Sequence, residues 1–180
     1  MQRIALITGA GRGIGAATAH ELARRGFHVI VNYRGDEQSA ASVVKRIEAA
    51  GGTARAVQAD VCDPVQVAGL VDGCERVDAL VCNANIGPPF APLTEMAWED
   101  FAGAWGIAVN TVAPGAVRTE GSAAMRTPEV EAALARRSVL GRMLDPEDVA
   151  AVIGTVLGGG LDALAGTRIP VGAGSRILPG

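Results

Sequence analysis

Cysteine is scarce in this sequence of 180 residues: Cys62, Cys74 and Cys82 are the only three. The number is odd and no pair has CxxC spacing, which excludes a disulfide framework and a zinc site and leaves them as small buried hydrophobes. An excess of positive charge is also missing. The formal net charge is -3 and the pI about 5.4, with arginines scattered along the chain, so neither a nucleic-acid backbone nor an anionic membrane surface is an expected partner. No long hydrophobic run occurs. The longest, 149–161, carries Thr155 and four glycines and falls short of the roughly 18 residues a membrane span needs. Residues 4–7 are too short for the core of a signal peptide and run straight into glycines and Arg12, so a cytoplasmic location is expected. Repeats, linkers and low-complexity stretches are lacking as well, and the length fits one domain over 1–180. What the chain has is apolar substance. Hydrophobic residues make up 49%, charged residues 19%, and the mean hydropathy is +0.27, enough to build a packed core.

Short β-branched runs alternate with helical patterns. The order is strand 3–8, helix 13–25 stopped by Gly26, strand 27–33, helix 36–50 stopped by Gly51 and Gly52, and strand 54–59. A helix over 65–76 follows, with Asp63 as cap and Pro64 at its first position, then a strand over 77–82. Strands this uniformly apolar belong in a parallel sheet covered on both faces. Beyond them, 85–92 reads as a Gly/Pro-rich loop, 94–105 as a helix, 107–112 as a strand, 129–138 and 146–157 as helices, and 167–171 as a last strand; Asp145 caps the second of those helices.

The informative stretch lies between the first strand and the first helix and reads Thr8-Gly9-Ala10-Gly11-Arg12-Gly13-Ile14-Gly15. A helix N-terminus offers unpaired N–H groups and the positive end of a dipole, and glycines let a pyrophosphate approach without meeting a Cβ. Gly11, Gly13 and Ala16 also satisfy the looser G-x-G-x-x-G/A pattern. In a strand–turn–helix setting this favours nucleotide binding over a merely tight turn.

Gly9-x-x-x-Gly13-x-Gly15 after Thr8 resembles the short-chain dehydrogenase/reductase family, most nearly its 3-oxoacyl-carrier-protein reductase branch. Asp60-Val61 is similar to the family's adenine-contacting Asp-Val, and Cys82-Asn83-Ala84-Asn85 to its Asn-Asn-Ala-Gly. Pro114-Gly115 with Thr119 resembles the Pro-Gly-x-x-x-Thr segment beside the nicotinamide, and 166–174 the closing strand. Asn85 stands where the family has glycine, and Gly172-Ala173-Gly174 where it usually has Asp-Gly-Gly. The resemblance implies an α/β fold, a Rossmann-like doubly wound parallel sheet, and hydride transfer between a nicotinamide dinucleotide and a small carbonyl or alcohol. The second strand ends Val31-Asn32-Tyr33-Arg34 without a carboxylate until Asp36. With Arg34 and Arg12 able to meet a 2′-phosphate, NADP(H) is favoured over NAD(H). The alternative is that both arginines are ordinary surface residues.

The family's proton donor is a Tyr with a Lys four residues later and a Ser on the preceding strand. Here Tyr33 is the only tyrosine and Lys45 the only lysine, so that pair cannot form. The interval from Asn83 to Pro114 is too short for the family's fourth helix, fifth strand and fifth helix. The sheet is therefore expected to be shortened, with the strand at 107–112 pairing directly with the fourth strand or leaving an open edge there. His20 and His28 read as structural, Ser122, Ser138 and Ser175 lack a base, and Asp60, Glu95 and Glu120 read as caps or solvated charges. No catalytic residue is assigned. Three readings stand at this point: a reductase-family enzyme without its acid, a non-catalytic NADP(H)-binding pseudoenzyme, and an interaction module using an exposed sheet edge. The family tetramer is not expected, because the implied contact helices are missing.

Overall fold

The computed structural model describes residues 2–84, 108–159, 161 and 164–174. Its first part alternates β1 (Ile4–Ile7), α1 (Gly13–Arg24), β2 (His28–Tyr33), α2 (Glu37–Ala49), β3 (Thr53–Gln58), α3 (Pro64–Asp72) and β4 (Ala79–Val81). The second part holds β5 (Thr111–Pro114), a 3-10 turn (Glu120–Met125), α4 (Pro128–Arg136), α5 (Pro146–Leu157) and β6 (Arg168–Val171). No described helix is long and apolar enough to cross a membrane.

Four strands form one parallel sheet in the order β3-β2-β1-β4, with Leu6 opposite Ile30 and Leu80. Because strand side chains alternate between faces, Ala5, Ile7, Val29 and Val31 enter one core together with Leu22 of α1 and Val43 and Ile47 of α2. Leu6 and Ile30 point the other way, onto Ala59 and Leu70 of α3. Phe27 closes the larger core at 1% exposure, and burial of a side chain that size is worth roughly 1.5–3 kcal/mol. α1 and α2 end where glycine takes a left-handed conformation, at Gly26 (φ +86°) and Gly51 (φ +82°). As expected, Asp63 caps α3, accepting from the Val65 N–H at 2.9 Å. Asp145 and Asp148 form a reciprocal capping box on α5.

Among the described residues one face of the sheet carries α1 and α2 and the other α3, with Leu80 on β4 55% exposed and Val65 on α3 80%. Two expectations are corrected. Cys62 and Cys82 are exposed, the first in the turn before α3 and the second past the end of β4; Cys74 is half-buried. Of the two arrangements the sequence left open for the fourth strand, direct pairing with the fifth is not formed among the described residues, where β4 pairs with β1 and β5 pairs in parallel with β6 in a separate two-stranded sheet. Finally, β5 runs to Pro114 where the sequence reading ended the strand at residue 112. A proline without an N–H is tolerated because β5 uses one edge alone among the described residues.

The second part joins the first through helix packing. α5 lies on α1 so closely that a Cβ on Gly154 would come within 2.7 Å of Glu21 Cγ, and one on Gly158 within 2.8 Å of Arg25 Nη1. Arg25 sits in this contact, donating to Glu21 Oε1 at 2.7 Å and to Thr155 Oγ1 at 3.3 Å.

Candidate functional site

From β1 the chain winds to β2 and β3 on one side, then returns to β4 on the other, so the order reverses between β1 and β4. In open parallel sheets ligands bind outside the strand carboxyl ends at such a point. The turns after β1 and β4 meet there and are laced together. Thr8 Oγ1 accepts from the Asn83 and Ala84 N–H groups, each at 3.0 Å. The Asn83 carboxamide donates to the carbonyls of Thr8 at 2.9 Å and Gly9 at 3.1 Å.

This lacing explains which glycines the turn requires. Gly9 has φ +61°, and a Cβ on it would stand 3.0 Å from Ala84 Cα; one on Gly15 would stand 2.5 Å from Asn83 Nδ2 and 2.7 Å from the Gly9 oxygen. Gly13, at φ +56°, starts α1. Gly11 is different, because a Cβ there meets Ala40 N at 3.5 Å, an ordinary contact. Arg12 occupies the cap position in extended conformation with no side-chain cap, and no acidic residue lies in the first turn of α1. The first helical bond runs from the Ala16 N–H to the Arg12 oxygen at 3.2 Å. The N-terminal end of α1, with Gly13, Ile14 and Gly15, thus presents donors that no side chain of this helix neutralises.

Asn32 was not singled out in the sequence and is central to the structure. It is 2% exposed, and its amide donates to the oxygens of Val57 at 3.3 Å and Ala59 at 3.1 Å. Its Oδ1 accepts from the Gly9 N–H at 3.4 Å and its backbone oxygen from Ala10 at 2.9 Å. The available signal was a polar residue inside an apolar strand run, since a buried amide needs partners.

Arg12 and Arg34 are both exposed. The nearby Asp36 caps α2, and bonds from the Ser39 hydroxyl and N–H hold its carboxyl below the usual range, with Arg12 contributing further. Asp60 begins the turn after β3, where its Oδ1 accepts from the Cys62 N–H at 3.0 Å and its own N–H donates to Gln66 Oε1 at 2.9 Å, with Val61 between. Asp60 thus closes this turn, while the cap of α3 is Asp63. From the second part, the Gly115 N–H donates to the Val171 oxygen at 2.8 Å next to Pro114. Thr119 then reaches the glycine turn, its methyl 3.7 Å from where a Gly13 Cβ would lie.

The remaining candidates stay apart. Ser122 completes a capping box with Thr119 at the turn that Glu120 begins, and Ser138 accepts from the Leu140 N–H. Burial lowers the pKa of His20, with Arg46 acting the same way and Glu147 opposing; burial and then Arg55 lower that of His28. Tyr33 packs against the larger core and Lys45 lies within α2. Asn85, Glu95, Ser175, the loop at 85–92 and the helix at 94–105 lie outside the described residues.

Residues 3–103 match the short chain dehydrogenase family, and residues 102–176 match the Enoyl-(Acyl carrier protein) reductase family. The chain belongs to the short-chain dehydrogenase/reductase family. An uncharacterized oxidoreductase of Methylorubrum extorquens is 32% identical over 220 positions, covering 84% of this chain and 88% of that protein. Since this chain has 180 residues, part of that alignment faces no residue here. The 3-oxoacyl-[acyl-carrier-protein] reductase of Synechocystis sp. is 48% identical over 88 residues, 47% of this chain and 36% of its own length. Two further curated relatives are likewise spanned over 38% and 37% of their lengths. Among solved structures, a short chain dehydrogenase from Burkholderia cenocepacia in complex with NADP is similar over 97% of this chain and 98% of that one, at 26% identity and a TM-score of 0.80. The Rossmann-like α/β fold implied by the sequence is therefore the family's fold, in a chain shorter than family members usually are.

Proposed function

We propose that this short-chain dehydrogenase/reductase is a single dinucleotide-binding domain that holds NADP(H) in preference to NAD(H) and does not turn over carbonyl substrates. The observation that carries the first half is the bare start of α1 at the switch point of the sheet. The pyrophosphate lies over Gly13, Ile14 and Gly15, where N–H donors and the helix dipole favour negative charge. Gly9 and Gly11 shape the turn, Asp60 and Val61 flank the adenine, and Arg12 and Arg34 receive the 2′-phosphate. Asn83, Ala84, Pro114, Gly115 and Thr119 border the nicotinamide side. The NADP-bound Burkholderia relative supports this reading.

The dinucleotide, when bound, supplies or accepts a hydride. Turnover needs in addition a group that delivers a proton to the developing alkoxide, and a positioned acid contributes about 10²–10⁴-fold. Tyr33 sits at the end of β2, the adenosine side of this topology, and Lys45 is in the helix that follows. Neither His20 nor His28 reaches the strand carboxyl ends, since the first lies within α1 and the second opens β2. The small carbonyl or alcohol of the active relatives therefore meets no tyrosine, lysine or histidine acid among the described residues.

Titrating NADPH fluorescence against the protein tests both halves. Saturable binding is expected, weakened in Arg34→Ala more for NADPH than for NADH. An NADPH-oxidation assay with acetoacetyl thioesters and small diketones is expected to show no turnover. Equal loss of both dinucleotides removes the role given to Arg34, and robust oxidation by the unmodified chain overturns the non-catalytic reading.

A further inference from the structure

β5 and β6 hydrogen-bond to each other, and among the described residues neither joins the four-stranded sheet. The position of Thr119 over the glycine turn is therefore not set by strand register. It is set by a backbone bridge at Val117, by side chains and by helix packing, and the residue before Thr119 carries most of the side-chain connections.

Arg118 is held at its backbone, where its N–H donates to the Leu144 oxygen at 2.7 Å beside a parallel bridge between Val117 and Leu144. Its guanidinium then reaches two elements at once. Nη1 donates to Asp145 Oδ1, in the cap of α5, at 2.8 Å, and Nε donates to Glu131 Oε1, on α4, at 3.0 Å with Nη2 on the same oxygen. Arg142 shares Asp145 at 3.1 Å and pairs with Asp148 at 2.7 Å. α5 in turn packs on α1, locked by the close approach at Gly154 and Gly158 and by Arg25. A closed path results, running from Gly13 along α1, across to α5, through Asp145 to Arg118, and back to Thr119 beside Gly13. Removing the Arg118 cation parts Glu131 from it, leaves Asp145 with Arg142 alone, and leaves the backbone bridge at Val117 and Leu144 as the remaining tie between the Thr119 segment and the start of α5.

We infer that Arg118 is a positioning residue that fixes Thr119 against the glycine turn and so sets the affinity for the pyrophosphate–nicotinamide half of the cofactor, leaving the adenosine half to Arg12 and Arg34. This rests on the NADP(H)-binding reading. The two halves of the cofactor separate the possibilities, because adenosine 2′,5′-bisphosphate carries the adenosine and both of its phosphates but no nicotinamide.

The test titrates the full chain with NADPH and with adenosine 2′,5′-bisphosphate, for the unmodified protein, Arg118→Ala and Asp145→Asn. The second variant keeps a side-chain oxygen able to cap α5 while removing the charge that Arg118 binds, so it carries the experiment if the alanine variant does not fold. Loss of this charge-assisted contact should lower NADPH affinity about tenfold while adenosine 2′,5′-bisphosphate stays within about twofold. Equal weakening of both probes, or unchanged NADPH binding, overturns the inference, the first result marking Arg118 as a general support of the fold. An unmodified chain that binds the bisphosphate but gains nothing from the nicotinamide half overturns it too. Failure to bind either probe refutes the cofactor reading itself.

Discussion

Gly15→Ala and Gly11→Ala form a matched pair that isolates the geometry of the phosphate turn. Both add one methyl within five residues of each other, and both positions fit a glycine-rich sequence pattern. At Gly15 the new Cβ would lie 2.5 Å from the Asn83 amide nitrogen, 2.7 Å from the Gly9 oxygen and 3.0 Å from Ala10 Cα. Two of those three atoms are backbone, so relief requires moving the turn or expelling the Asn83 carboxamide. Overpacking of this kind costs about 1–3 kcal/mol. Expulsion also breaks the bonds from Asn83 to Thr8 and Gly9, each worth about 0.5–1.5 kcal/mol. Alanine's better helix propensity returns about 1 kcal/mol at most, leaving a loss near 3 kcal/mol. For a chain this long that lowers the Tm by about 6–12 °C. At Gly11 the nearest atoms would be 3.5 and 3.6 Å away, and the smaller entropy of the unfolded alanine chain favours the variant by about 0.4–1 kcal/mol. Differential scanning calorimetry on the two variants should therefore show a large drop for one and no drop for the other. Equal destabilisation would refute the reasoning, because it would mean that the turn needs glycine for reasons other than these contacts.

Burial depresses the pKa of His20 below the ordinary 6.5 and does the same for His28, so as the pH falls the unfolded chain takes up protons before the folded one. Stability is then full above that value and declines as the pH falls through it toward the folded pKa; urea melts at about pH 7.5 and about pH 5.5 should show the loss, with His20→Gln narrowing the gap. An unchanged gap in the variant would remove His20 from the account. Light scattering should return no well-defined tetramer, since the helices that resemblance assigns to the family contact are not accommodated between Asn83 and Pro114, and a clean tetramer would show that interface to be misjudged.

The first part of the fold was legible because each strand is an apolar run and each helix is closed by a chemical stop. Asp63-Pro64 and Asp145-Pro146 open helices where expected, and 146–157 was placed without error. What escaped the sequence depends on neighbours far along the chain. Asn32 matters through the carbonyls of Val57 and Ala59, and no local pattern announces such partners. Pro114 continues a strand because one edge of β5 is unused in the ladder among the described residues, a fact of topology and not of composition. Cys62 and Cys82 are exposed because a turn and the end of a poorly covered strand hold them, while their residue type favours burial on average. The glycines of α5 were read only as interruptions of an apolar run, yet Gly154 and Gly158 let that helix lie against α1.

An intact glycine turn is weak grounds for a working enzyme, because much of it serves the fold. Thr8, Gly9, Asn32 and Asn83 tie the ends of β1, β2 and β4 together whether or not a ligand binds, and selection for stability alone would keep them. The start of α1 is another matter. Asp36, Asp63 and Thr127 cap α2, α3 and α4 with side-chain oxygens, and α5 has its capping box. Replacing such a cap with a residue that cannot accept costs about 0.5–2 kcal/mol. α1 forgoes that stabilisation and places Arg12 at the cap, a cation beside the positive end of a dipole, which is unfavourable unless an anion joins them. The nearby Asp36 carboxylate answers part of that charge, and the phosphate group proposed for the turn would add to it. The same reasoning gives no comparable signal at Thr119, whose polar groups are already partnered by Ser122 and Arg126. The demand for an anion is thus concentrated at the start of α1, where the phosphates of the proposed cofactor would lie.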